Sequence, residues 1–68
     1  MTGPDHFKEA IVDIALLAAM GDSDRAHSAE DALYRDVLQA IADGATNAAE
    51  LAAEALKTRE LDFSRWCA

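Results

Sequence analysis

Between Asp31 and Lys57 the polar and apolar residues keep one helical phase, and they keep it across a glycine. With Val37 at zero and a rotation of ~100° per residue, one half of the cylinder is apolar or small: Tyr34, Leu38, Ile41, Gly44, Ala45, Ala48, Leu51, Ala52, Ala55 and Leu56. The other half is polar: Asp31, Arg35, Asp36, Gln39, Asp43, Thr46, Asn47, Glu50, Glu54 and Lys57. A break at Gly44 would let the next segment restart at any rotation. The pattern therefore predicts one long helix over about residues 28–58.

Gly44 also allows a second interpretation. Glycine inside a helix costs about 1 kcal/mol relative to alanine, and Gly-Ala-Thr-Asn at 44–47 could form a C-terminal cap followed by an N-cap. A turn and a new helix would result. The unbroken phase favours the continuous helix, in which Gly44 lies on the apolar face and lets another helix approach closely.

A shorter helix is predicted before it, over about residues 3–20. Thr2 and Asp5 have the spacing of a capping box, Pro4 would lie in the first turn, and Gly21 would supply a left-handed C-terminal cap. The core stripe of this helix repeats at three- and four-residue steps: Phe7, Ala10, Ile11, Ile14, Leu17 and Ala18.

Leu16 and Met20 do not belong to that stripe. They project onto the side that carries Glu9 and Asp13 and form a second apolar strip. Single exposed leucines and methionines are common in small proteins, so this strip is either ordinary surface or a contact with another chain.

The lengths of the two helices predict a mismatch. Ser28 and Asp31 offer a capping box for the second helix, although a start at Ser23 is also open. The second helix would be ~45 Å long and the first only ~27 Å. An antiparallel hairpin would therefore leave the apolar face beyond Ala45 without a partner.

Two arrangements would cover that face: a lid formed by Leu61, Phe63 and Trp66 of the same chain, or a second hairpin. We predict an all-α single helical domain over residues 1–68, an antiparallel helical hairpin with an aromatic C-terminal tail, paired as a dimeric four-helix bundle. The predicted interface residues are Leu16, Met20, Ala48, Leu51, Ala52, Ala55, Leu56, Phe63 and Trp66.

Composition supports helices and an acidic surface. Sixteen alanines and seven leucines stand against two valines and three isoleucines, which favours helix over strand. The net charge of −7 repels phosphate backbones and anionic lipids. Nucleic acid and membrane partners are therefore not expected.

The chain is expected to be cytoplasmic. Its first residues lack the basic segment and apolar run of a signal peptide, and the uncharged stretch at 14–21 is far shorter than the ~20 residues that cross a bilayer. Cys67 is the single cysteine, so no internal disulfide can form, in keeping with a reducing compartment.

Three segments carry a resemblance to a family: TGPDHFKEA at 2–10, GATNAAELAAEA at 44–55, and Phe63-Ser-Arg-Trp66. They resemble small acidic proteins of mycobacteriophages and other actinobacterial phages, which open TGPEHYREAE, continue with an alanine-rich motif like HATLALAAATA, and end near an aromatic-x-x-Trp. Here Gly-Ala-Thr replaces His-Ala-Thr, and apolar residues replace the charged run after the opening. The resemblance implies a phage origin, action in the host cell cytoplasm and a helical fold, with no catalytic residues to carry over.

The sequence gives little support for catalysis or metal binding. His6 with Glu9 and His27 with Glu30 have the i, i+3 spacing of carboxylate–histidine metal sites, but both histidines lie where polar residues are ordinary, so no metal site is predicted. Cys67 lacks a supporting base. Three isolated glycines make no phosphate-binding loop. We predict a protein without a cofactor that is not an enzyme.

The predicted function is that of a small phage accessory protein acting by self-association and by contact with a host or phage protein. An alternative is a helix-turn-helix DNA-binding regulator, with residues 38–56 as the helix pair and 57–66 as the reading helix, carrying Lys57, Arg59 and Arg65. Its weakness is the charge of −7. A third hypothesis is that carboxylates along a helix imitate a phosphate backbone, although acidic helices are usually just soluble.

Overall fold

The computed structural model describes residues 7–65. Within these residues the chain forms three α-helices, α1 (Lys8–Ala19), α2 (Ser23–Ala42) and α3 (Ala48–Leu56), and then a 3-10 turn (Lys57–Glu60). No strand occurs within these residues. The prediction of an all-helical fold is confirmed.

The α1 helix ends where its glycine predicts. Gly21 has a φ of +77°, which is costly for residues with a Cβ. The Gly21 amide donates to Ala18 O at 3.1 Å and the Asp22 amide to Leu17 O at 2.9 Å, the pair of bonds that defines a Schellman cap. The proposed start, with Thr2, Pro4 and Asp5, lies outside the described residues.

The α2 helix begins five residues before the start that was favoured from the sequence. Asp22 is its N-cap, and Asp22 Oδ1 accepts a hydrogen bond from the Arg25 amide at 3.3 Å. The predicted capping box at Ser28 therefore does not start the helix. The alternative start at Ser23 is confirmed.

The prediction of one helix over about 28–58 is wrong, because the chain turns at Gly44. Gly44 has a φ of +98°; its amide donates to Ile41 O at 3.0 Å, and the Ala45 amide donates to Ala40 O at 3.1 Å. A second Schellman cap thus satisfies the last carbonyls of α2. Asn47 is the N-cap residue of α3. Gly44 is exposed, and a Cβ built on it would meet nothing within 4 Å, so it is not a site of close helix approach.

After the turn, α3 packs against α2, and α1 also packs against α2. Of the residues that the structure describes, eight with apolar side chains form the buried core: Phe7, Ile14, Ala26, Leu33, Val37, Leu51, Ala55 and Phe63. The predicted core stripe of α1 is confirmed, since its other members pack partly buried against that core. The longest dimension is 35 Å, so the predicted rod of ~45 Å and its overhang do not exist.

The segment after the 3-10 turn crosses back over the helices. Phe63 enters the core at 9% exposure, and the Ser64 amide donates to Ser23 Oγ at 3.3 Å. The segment therefore returns to the N-terminal half of α2. Trp66, the other aromatic residue of the predicted tail, lies outside the described residues.

Candidate interaction surface

A buried polar cluster fastens this returning segment to α2. Arg65 donates to both carboxylate oxygens of Glu30, from Nε to Oε1 at 2.9 Å and from Nη2 to Oε2 at 3.0 Å. Arg65 Nη2 also donates to Thr58 O at 2.9 Å. The guanidinium lies 3.9 Å from the centroid of the Phe63 ring. A bidentate pair of this kind fixes orientation as well as distance.

The hydroxyls of Thr58 and Tyr34 complete the polar cluster, and the direction of their hydrogen bonds follows from the available protons. Thr58 Oγ1 lies 2.7 Å from Glu30 Oε2 and 3.0 Å from the Tyr34 hydroxyl. Thr58 has a single proton, and the ionised carboxylate is its nearer and stronger acceptor. Tyr34 therefore donates to Thr58, and Thr58 donates to Glu30.

These contacts set the protonation of Glu30. Burial raises the pKa of its carboxyl, but hydrogen bonds from Arg65 and Thr58 outweigh burial and hold the pKa below the ordinary value of 4.5. Glu30 is 3% and Thr58 0% exposed. Glu30 and Thr58 are thus shielded from solvent, while Glu30, Tyr34 and Arg65 line one side of a cleft with Arg59. The hydrogen bonds make the cluster a structural clamp.

His27 does not join Glu30 as a metal pair. Both Glu30 oxygens are used by Arg65 and Thr58, and His27 Nε2 lies 3.6 Å from Asp31 Oδ1. Over residues 7–65, no group of three or more His, Cys, Asp or Glu residues is placed to hold a metal ion. His6 lies outside the described part of the chain.

An apolar groove runs between α2 and α3 on the outside of the core. It is lined by Tyr34, Val37, Leu38, Ile41, Ala52, Ala55 and Leu56. Leu38 and Leu56 are 66% and 52% exposed, so large apolar side chains border solvent on both helices. We call this surface the α2/α3 groove.

Basic residues stand beside one end of the α2/α3 groove. Arg35 is exposed one helical turn before Leu38, and Arg59 is exposed one turn after Leu56. Arg59 also lines a cleft with Tyr34, at that end of the groove. Lys57 lies next to Leu56 and forms an ion pair with Glu54 at 2.8 Å. The chain has only six Lys and Arg residues, and two exposed arginines lie at this end of the groove, together with exposed Asp31 and Glu60.

A second apolar surface lies on α1. Val12, Leu16 and Met20 are 55%, 57% and 75% exposed, and their four-residue spacing places them on one helical face. Exposed Glu9 and Asp13 flank them. We call these three residues the α1 stripe. The exposure expected for Leu16 and Met20 is confirmed, and Val12 extends their strip by one turn.

The predicted interface residues are thus divided by the fold. Leu51, Ala55 and Phe63 are buried within their own chain, Ala48 and Ala52 are half-buried, and Leu16, Met20 and Leu56 are exposed. Trp66 is not among the described residues. Leu38 was not among the predicted interface residues. It belongs to the apolar half of the predicted helix, but it lies at the edge of that half, where it is exposed.

The segment suggested as a DNA-reading helix has another structure. Residues 57–60 form the 3-10 turn and residues 61–65 contain no helix, while Arg65 is engaged by Glu30. The helix after the turn, α3, carries Glu50 and Glu54 and no basic residue. These features do not present a basic helix to a phosphate backbone.

None of the helices in the described part of the chain is long and apolar enough to span a bilayer. Comparison with protein-family models, curated proteins and solved structures finds no match to this chain. Its function is therefore argued from the two apolar surfaces and the polar cluster.

Proposed function

We propose that this chain is a non-enzymatic accessory protein that acts through protein–protein contacts, beginning with association with a second copy of itself. The observation that carries the proposal is the exposure of Leu38 and Leu56 in the α2/α3 groove and of Leu16 and Met20 in the α1 stripe. Contiguous exposed apolar surface marks interaction sites in soluble proteins.

The polar cluster supports a role without catalysis. A catalytic group needs access to a substrate and a pKa matched to proton transfer. Glu30 and Thr58 are almost inaccessible, and the Glu30 carboxyl is held ionised by Arg65 and Thr58. This polar cluster thus serves the fold.

Size favours an oligomer. A specific interface removes about 800 Å² of surface from each partner, and this chain has 4735 Å² of accessible surface. Small domains bury a low fraction of their surface alone, so a dimer would add substantially to the core. In the dimer we propose, α1 and α2 of two copies form a four-helix bundle, and each α3 flanks it.

The phage origin is supported by the residues of the opening, TGPDHFKEA at 2–10. A small phage protein acting in the host cytoplasm would meet host and phage proteins there. An exposed apolar groove with two arginines at one end suits an amphipathic helix of such a partner that carries acidic residues. We place this contact second to self-association, because the chain itself carries a matching helix.

Sedimentation equilibrium of the full chain over a wide concentration range tests the proposal. We expect a mass near twice that of the 7.3 kDa chain, with dissociation on dilution. A monomer mass at every concentration would contradict self-association. Fluorescence titration with random DNA duplex at low salt should show no binding, and submicromolar binding would favour a DNA-binding regulator instead.

A further inference from the structure

We propose that the α1 stripe of one copy docks in the α2/α3 groove of a second copy, and that the reciprocal contact closes the dimer. This inference rests on the proposed self-association and specifies which surfaces meet. A twofold dimer would contain the contact twice, once with each copy donating its α1 stripe.

Shape and length support the pairing. The groove lies between two helices and is concave, whereas the α1 stripe is the ridge of a single helix, which is the usual form of a helix-in-groove contact. Tyr34 and Ile41 define ~10.5 Å of the groove along α2, and Val12 and Met20 define ~12 Å of the stripe. Packing groove against groove would instead face two concave surfaces and leave voids without dispersion contacts.

Charge supports the same pairing. Glu9 and Asp13, with Lys8, lie beside the α1 stripe, and Arg35 and Arg59 lie beside the groove. All five are exposed. Complementary charges at the edge of an apolar contact favour the correct partner and its register. A chain with a net charge of −7 repels its own copies, and Arg35 and Arg59 supply positive charges where Glu9 and Asp13 would approach.

Disulfide trapping tests which surfaces meet. Leu16→Cys and Leu38→Cys would each be made in a chain that also carries Cys67→Ser, with one variant isotope-labelled so that mass spectrometry distinguishes the products. We expect the mixed Leu16→Cys/Leu38→Cys disulfide to dominate over either symmetric product. Glu50→Cys, exposed on the polar side of α3, is the control and should not cross-link with either variant.

The outcomes separate this inference from the proposed function. A symmetric Leu38→Cys product would overturn the pairing and favour groove against groove. Absence of all cross-links together with a dimer mass would also overturn it, while leaving self-association intact. A monomer mass would overturn both.

A charge swap gives an independent test. One variant carries Glu9→Lys with Asp13→Lys, and the other carries Arg35→Glu with Arg59→Glu. Each variant alone would place like charges at the contact, and we expect about tenfold weaker self-association. The two mixed together should form a heterodimer, because the basic stripe would meet the acidic groove and the acidic stripe the basic groove.

Glu50→Lys, on the polar side of α3, is the control for a charge reversal outside the contact and should leave the dimer affinity nearly unchanged. If the two charge-swapped variants form homodimers as readily as heterodimers, the proposed pairing of the α1 stripe with the α2/α3 groove is overturned. Circular dichroism of each variant would establish that the helices are retained.

Discussion

At the scale of residues, Glu30 decides how the C-terminal segment is held. A carboxylate at 3% exposure is costly unless charged and polar partners satisfy it. Arg65 and Thr58 provide those partners from 35 and 28 positions along the chain. Sequence spacing could suggest only the local pair of His27 and Glu30. The actual partners depend on the path of the chain, which no local pattern specifies.

The pH dependence of stability should report this clamp. The pKa of Glu30 is lower in the folded chain than its ordinary value of 4.5, so the ionised carboxylate stabilises the fold above that pH. The contribution is lost as the pH falls below it through the folded value. We expect Glu30→Gln to lower the free energy of unfolding by about 1–3 kcal/mol at pH 7, measured by urea denaturation.

The difference between the original chain and Glu30→Gln should shrink as the pH falls below 4.5. Glu50→Gln, a change at an exposed carboxylate, should cost less than about 0.5 kcal/mol at neutral pH. A Glu30→Gln variant as stable as the original chain at pH 7 would show that the clamp contributes nothing.

At the scale of elements, the turn at Gly44 explains why the regular repeat of polar and apolar residues led to the wrong prediction of one long helix. The polar residues of α2 and α3 both face away from the core because the two helices pack against the same core, which contains Val37 of α2 and Ala55 of α3. A shared core preserves phase as well as a continuous backbone does. The Schellman cap was present in the sequence as Gly-Ala-Thr-Asn, and local capping chemistry was the better guide to the boundary.

Gly44→Ala distinguishes a turn at this position from a continuous helix, because the two predict opposite changes in the free energy of unfolding. At a φ of +98°, alanine should destabilise the fold by about 1–2 kcal/mol. The open space around the site leaves backbone conformation as the source of the cost. Within an unbroken helix the same substitution would stabilise by about 1 kcal/mol.

Ala53→Gly, inside α3, calibrates that measurement and should cost about 0.5–1 kcal/mol. Both substitutions are expected to lower the urea midpoint. A rise for Gly44→Ala would restore the long helix and remove the α2/α3 groove.

At the scale of the whole molecule, the fold and the interaction surface differ in how far the sequence predicts them. Helical class, the core stripe of α1 and its cap at Gly21 follow from periodicity and local chemistry. The groove does not, because it needs the angle between α2 and α3. One signal was nevertheless available: Leu38 and Leu56 both lie ~100° from Val37, at the same edge of the apolar arc, where both are exposed.

Self-association through the groove and the stripe is the central claim, and the seven leucines allow a site-resolved measurement. Methyl NMR of leucine-labelled protein during serial dilution would follow each position. We predict that Leu16, Leu38 and Leu56 shift along one common dissociation curve, while buried Leu33 and Leu51 stay nearly constant. Shifts absent from all leucines, or confined to positions outside the groove and the stripe, would contradict the claim.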